Sequence, residues 1–328
     1  RALHSFTSLA GAIYTGIGTH LKYYLLVGET LHDITPVRKT STTDDIFAAT
    51  DTESTIVVTD NAHGAVKNDF VTFAGAASLG SSNNITAAVL NQEYQVAKVI
   101  SANVYHITAK DTSGNTVVAN ANDTGDGGTG TTAAYQVNVG LDTVVYNVGW
   151  GTDTWGRDTW DSDGTLGVLS TLRLWSHDNF GEDLIYNVRN GGIFYWDTSA
   201  KAATYGRGVL LSSLNGADSG TPTIAKKVIV SDRDRHIIAF GCDPETSIGT
   251  QDPLLIRFSG QESATTWNAT ATNTAGDLPL STGSEIVTAI ETRQQILVFT
   301  DVSLHAMQFL GPPFTFGIGM ISENITIM

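Results

Sequence analysis

The chain has almost no cysteine, little charge and no long apolar run, and each shortage removes a class of explanation. Cys242 is the only cysteine among 328 residues. That excludes an intrachain disulfide and a cysteine-based structural zinc site, and its place after IIAFG reads as a small core residue. Charged residues make up 16% of the chain, with 18 Lys and Arg against 33 Asp and Glu. A net charge of −15 argues against tight wrapping of nucleic acid, which needs clustered cations to displace phosphate counterions. The densest basic spots are Lys226-Lys227 and Arg233-Asp234-Arg235, which read as solvated turn charges beside a strand. No segment is apolar for long enough to span a membrane, and no signal peptide is visible, although the chain opens on Arg1.

Motifs with a known mechanism are missing as well. There is no nucleophile elbow, no zinc-protease helix, no phosphate-cradling loop and no dinucleotide fingerprint. The histidines are scattered: His63 before a glycine reads as a turn residue, and His236 and His305 as hydrogen-bonded core histidines in strand runs. Asp158, Asp161 and Asp163 before Gly164 resemble the start of a calcium loop but lack its remaining ligands, so an Asp-rich turn is expected. The same three carboxylates or Glu262 are the candidates for a sugar-cleaving pair, and nothing selects one pair. Four Asn-x-Ser/Thr sites, at Asn84, Asn122, Asn268 and Asn324, are expected by chance in a Thr-rich chain. No catalytic, cofactor or metal residue is assigned, and the chain is expected not to be an enzyme.

What is abundant points to β-structure. Glycine reaches 33 residues and hydrophobic residues 41%, enough for real cores joined by tight turns, and no helix beyond about two turns is expected. One hairpin pattern recurs at 21–36, 183–197, 235–260 and 294–311, each time two β-branched or aromatic runs around a break of Gly, Asn, Asp or Glu. Asn190-Gly191-Gly192 is the strongest of these turn signals. Ile185, Ile237 and Leu297 mark one position in three copies, 52 and 60 residues apart, which is propeller-blade spacing. Leu25 lies 160 residues before Ile185, and setting aside the 99 residues of 41–139 reduces that to 61.

The expected fold is therefore all-β: a propeller-like body over 1–40 and 140–328, with a small β-barrel or sandwich module inserted at 41–139. Within the module, TIVV and FVTF read as strands, EYQVAKVISANVYHITAK at 93–110 as two strands, and NANDTGDGGTGTTAA at 120–134 as a flexible linker. Residues 149–164, GWGTDTWGRDTWDSDG, hold Trp150, Trp155 and Trp160. Tryptophans at that density are too costly to leave in water, so this loop is the candidate subunit contact.

Several segments together resemble one protein family. GTHLKYYLLVGETLHDITP, GWGTDTWG, WSHDNFGEDL and NTAGDLPLSTGSEI, in this order and spacing, resemble the tail nozzle, hub or stabilisation proteins of short-tailed bacteriophages, over 1–40 and 140–328. Residues 54–118 resemble small β-modules inserted in phage tail proteins. The resemblance implies a structural virion protein made in the host cytoplasm, forming a homo-hexameric ring below the portal and adaptor. Such a ring extends the DNA ejection channel, contacts the adaptor and other tail proteins, lets duplex DNA pass without specific binding, and uses no cofactor or active site. Family members continue beyond MISENITIM with further strands, so the blade count stays open. The rival readings are a tail protein binding a receptor or glycan on the host surface through Trp155, Trp160 and the module, and a tail-borne glycan hydrolase.

Overall fold

The computed structural model describes residues 2–80, 84–142, 172–311 and 314–325. The chain divides into two compact units, Arg1–Ile34 with Leu141–Met328, and Thr35–Gly140. Among the described residues the regular structure is almost all strand, with two four-residue helices and one short 3-10 turn.

The first unit opens with β1 (Ala2–Thr7), β2 (Ile13–Gly18), β3 (Tyr23–Val27) and β4 (Thr30–Asp33), an antiparallel meander in chain order. Gly28, at φ +59, makes the two-residue turn between β3 and β4, a conformation that favours glycine.

The second unit follows: β5 (Val37–Thr43), β6 (Phe47–Ala49), β7 (Thr55–Thr59), β8 (Phe70–Ala74), helix α1 (Ala87–Leu90), β9 (Glu93–Gln95), β10 (Lys98–Ser101), β11 (Val104–Thr108), β12 (Asp123–Asp126) and β13 (Thr131–Gln136). They form two sheets, ordered β10-β11-β7-β6-β12 and β5-β13-β8-β9. Ile56, Val58 and Tyr105 of one sheet and Val71, Phe73 and Tyr135 of the other belong to a single buried core, which makes the unit a sandwich. Its entry and exit are adjacent: Val37 pairs with Gln136, and Val137 N–H bonds Pro36 O at 3.0 Å.

Three expectations for this unit are corrected. It starts at Thr35 rather than residue 41, because β5 is an edge strand of its own sheet, paired with β13. The stretch 93–110 holds three strands, not two, and β9 pairs with β8 in the opposite sheet from β10 and β11. The Gly/Thr-rich stretch 120–134 is no linker. It forms β12 and the start of β13, and β13 is paired on both sides. Small residues suffice there because β5 and β8 supply the ladders, while Gly125, Gly127, Gly128 and Gly130 take positive φ in and around the turn.

The first unit resumes with β14 (Trp175–Phe180), β15 (Asp183–Val188), β16 (Ile193–Trp196), helix α2 (Thr198–Lys201) and β17 (Val209–Leu210). Then come β18 (Ala225–Val230), β19 (Ile237–Cys242), β20 (Leu255–Phe258) and β21 (Gly276–Pro279), and finally β22 (Ile286–Glu291), β23 (Ile296–Thr300), β24 (Ser303–Phe309) and β25 (Phe316–Glu323). With β1 to β4 these make four successive four-stranded antiparallel meanders, the blades of a propeller-like body.

The cores lie between blades. Tyr23 of blade one stacks on Tyr186 of blade two, ring centroids 4.4 Å apart, and meets Trp175 edge-on at 5.0 Å. Ile185 and Ile193 of blade two share a core with Val228, Val230 and Ile237 of blade three, and Phe240 and Ile256 share one with Ile286 and Val298 of blade four. Covering on both faces explains why β15 and β19 are buried almost without alternation. In the end blades β2 and β23 alternate, and Ile13 and Ile290 remain 66% and 51% exposed.

The repeated hairpins are strand pairs, but the first is out of phase. Residues 21–36 carry the third and fourth strands of their blade, whereas the other three copies carry the second and third. The counterpart of Ile185 therefore lies in β2, not at Leu25. Two glycines weaken the strand signal of β2, and both make room: a Cβ on Gly16 would overlap the Tyr23 phenol, and one on Gly18 the Trp175 indole.

Candidate functional site

The first strands of blades two to four, β14, β18 and β22, lie side by side and are joined through side chains rather than a ladder. Ser176 Oγ accepts Val228 N–H and Asp178 Oδ2 accepts Val230 N–H, both at 2.9 Å. Lys227 Nζ donates to Thr288 Oγ1 at 3.1 Å and Ala289 O at 2.6 Å, and Glu291 Oε1 accepts Asp232 N–H at 3.1 Å. These polar residues are half-buried, and such bonds offset the hydration they lose, since a polar group left unpaired on burial costs about 1–3 kcal/mol.

This joint leaves two cavities. An open one of about 310 Å³ is lined by Ser176, His177, Asp178, Lys227 and Glu291 among others. A second, of about 120 Å³, is lined by Ser176, Arg189, Lys226, Lys227 and Thr288 among others.

Burial dominates the electrostatics here. It raises the Asp178 carboxyl against the pull of hydrogen bonds from Val230 and Asn179. It lifts Glu291 to about 7, helped by the nearby charges of Asp232, Asp178 and Asp234. It lowers the His177 imidazole to about 4, with His4 adding to the shift, and it lowers Lys227. At neutral pH His177 is uncharged with Nδ1 taken by the Tyr23 phenol, and Glu291 is partly protonated, so the donors and acceptors of the larger cavity come from Lys227, Asp178 and Glu291.

The candidates from the sequence fall elsewhere. Trp150, Trp155 and Trp160, and with them Asp158, Asp161 and Asp163, lie outside the described residues. Glu262 sits exposed in a turn, 3.4 Å from Arg235, with no second carboxylate placed against it by any contact among the described residues. His63 is buried in its turn, with Nδ1 accepting Ala65 N–H and Nε2 bonded to Ser101 O. His236 meets Thr274 Oγ1 at 3.2 Å, and His305 meets Ser303 Oγ at 2.9 Å. Cys242 is fully buried, and burial pushes its thiol far up. Arg233 and Arg235 lie exposed in a turn, as expected, but Lys226 and Lys227 do not: they belong to β18 and line the smaller cavity. Their flanking apolar residues, Ala225 and Val228 to Val230, were the signal that a strand rather than a turn runs through them. Among the described residues no group of His, Cys, Asp or Glu could hold a metal ion, and no helix is long and apolar enough to cross a membrane.

These features define an all-β protein of packed four-stranded blades carrying an inserted sandwich. No family model and no curated protein matches the chain. Among solved structures it is similar to the phage phi92 endosialidase, at 11% identity and a TM-score of 0.25, over 95% of this chain and 42% of that one. The chain thus spans less than half the length of that protein. By name that protein is an enzyme, so the expectation that this chain is not an enzyme is corrected and no longer held. A likeness at that score carries no argument about substrate or site.

Proposed function

We propose that the chain is a structural protein of a short-tailed phage tail, a subunit of the nozzle or hub ring that extends the DNA ejection channel below the portal and adaptor. The observation that carries this reading is the run of four consecutive four-stranded meanders with cores between blades, joined to the segments that resemble the nozzle family. Blades locked face to face resist deformation, which a conduit for packed DNA requires. The partners in this reading are five further copies, the adaptor and other tail proteins, and duplex DNA in transit. A net charge of −15 suits a wall along which DNA slides without sticking, because each cation on the wall would add phosphate affinity. Gold-labelled antibody against the chain tests the location: label on the tail axis next to the capsid is expected. Label on peripheral fibres or spikes alone would favour the receptor- or glycan-binding reading, and label in the lysate but not on particles would end both.

A further inference from the structure

Of only 18 lysines and arginines, three line the smaller cavity between the blades. Lys226 is matched by Glu285, to which its ammonium bonds. The other two make no ion pair among the described residues, although Glu285 acts on Arg189 and Asp178 on Lys227 from a distance. Lys227 Nζ gives two of its three N–H groups to Thr288 Oγ1 and Ala289 O, both uncharged. Arg189 is held by its backbone, whose N–H bonds Leu174 O at 3.1 Å, and its half-buried guanidinium makes no ion pair or hydrogen bond among the described residues. Burial lowers both cations; Glu285 opposes this at Arg189 and Asp178 opposes it at Lys227, where the charge of Arg189 adds a smaller lowering. Two partly desolvated cations with unfilled N–H donors face one cavity, and an anion between them would fill those donors and offset the lost hydration.

We propose that the cavity between β14, β18 and β22 binds the oxyanion of a small polar ligand, with Arg189 and Lys227 as its cationic contacts. Arg189, in the turn after β15, presents a planar fork suited to a carboxylate, sulfate or phosphate, and Lys227 of β18 a single N–H. The larger cavity shares Ser176 and Lys227 with this one, so the uncharged part of the ligand has a polar chamber to enter. The ligand class is set by these cations and is independent of the ring proposed above.

Isothermal titration calorimetry at low ionic strength, with sodium sulfate, sodium glucuronate and glucose as separate titrants, tests this. Both anions are expected to bind at one site per chain and glucose not at all. A preference for glucuronate assigns the oxyanion to a carboxylate source, and a preference for sulfate to a sulfate or phosphate ester. Arg189→Gln is expected to weaken binding at least about tenfold, Arg189→Lys less, and Arg235→Gln, on an exposed turn, not at all. Thermal melting of each variant separates loss of binding from loss of fold. The proposal is overturned if neither anion binds at about 20 mM. It is equally overturned if folded Arg189→Gln binds like the parent, or if Arg235→Gln weakens binding to the same extent.

Discussion

The phenol of Tyr23 hydrogen-bonds Nδ1 of His177 at 2.6 Å, tying the third strand of blade one to the first strand of blade two although 154 residues separate them. Both groups are in the form the bond needs. Burial holds Tyr23 protonated, so its O–H donates, and holds His177 neutral, so its nitrogen accepts. Tyr23→Phe leaves that nitrogen buried without a donor and is expected to cost about 1–2 kcal/mol in urea unfolding, with no change in far-ultraviolet circular dichroism.

The same imidazole makes the fold sensitive to acid. His177 titrates near 4 in the native state and near 6.5 when unfolded, so between those values only the unfolded chain takes up the proton. Its contribution is complete above about pH 6.5 and is lost as pH falls toward 4, by about 3 kcal/mol. Unfolding midpoints measured from pH 7 to pH 4 are expected to fall more steeply in the parent than in a His177→Asn variant.

Glu291 acts in the opposite direction. Its native value of about 7 lies above the ordinary carboxyl value of 4.5, so the native state keeps a proton that the unfolded chain releases. Stability is therefore lost as pH rises from about 4.5 through 7. Glu291 is partly solvent-screened, which limits the effect to about 1 kcal/mol. Glu291→Gln is expected to raise the melting temperature at pH 8 relative to the parent and to leave it nearly unchanged at pH 5.

Asp243, at the end of β19, is fully buried and accepts hydrogen bonds from Thr223 N–H and O–H, Ile224 N–H and Gly249 N–H. Removing it strands several donors at once. Asp243→Ala is expected to cost about 3 kcal/mol or more, and Asp243→Asn less, because one oxygen remains to accept. Equal stability of the alanine variant and the parent in denaturant melts would count against this network.

The inserted sandwich has its own core, and its chain ends meet at the Val37 and Gln136 pair. Replacing residues 35–140 with a short Gly/Ser linker is expected to leave the blades folded, seen as a single cooperative melt of all-β spectrum. Aggregation of the shortened chain would show instead that the sandwich is needed for folding of the body.

The blade pattern was legible because hairpins in the middle of a blade leave long apolar strands such as IIAFG, buried on both faces. The phase error in blade one has a physical source. Its second strand gave up side-chain volume at Gly16 and Gly18 to admit Tyr23 and Trp175, and thereby lost the β-branched signal that marks the strand in the other blades. β13 was hidden for a similar reason, since small residues paired on both sides need little side-chain signal of their own, and β12 is a four-residue edge strand paired only with β6. The two cavities between the blades were not legible. Ser176, Asp178, Arg189, Lys227 and Glu291 come from three blades, and only the lateral packing of first strands brings them together.

The central claim, that these blades build a ring on a tail axis, is tested most directly by the symmetry of the chain's density in an averaged electron-microscope reconstruction of the particle. Six copies around the axis of the DNA channel, in a ring adjoining the adaptor, are expected. Three-fold spikes set off the axis, or a single monomeric copy, would contradict the claim.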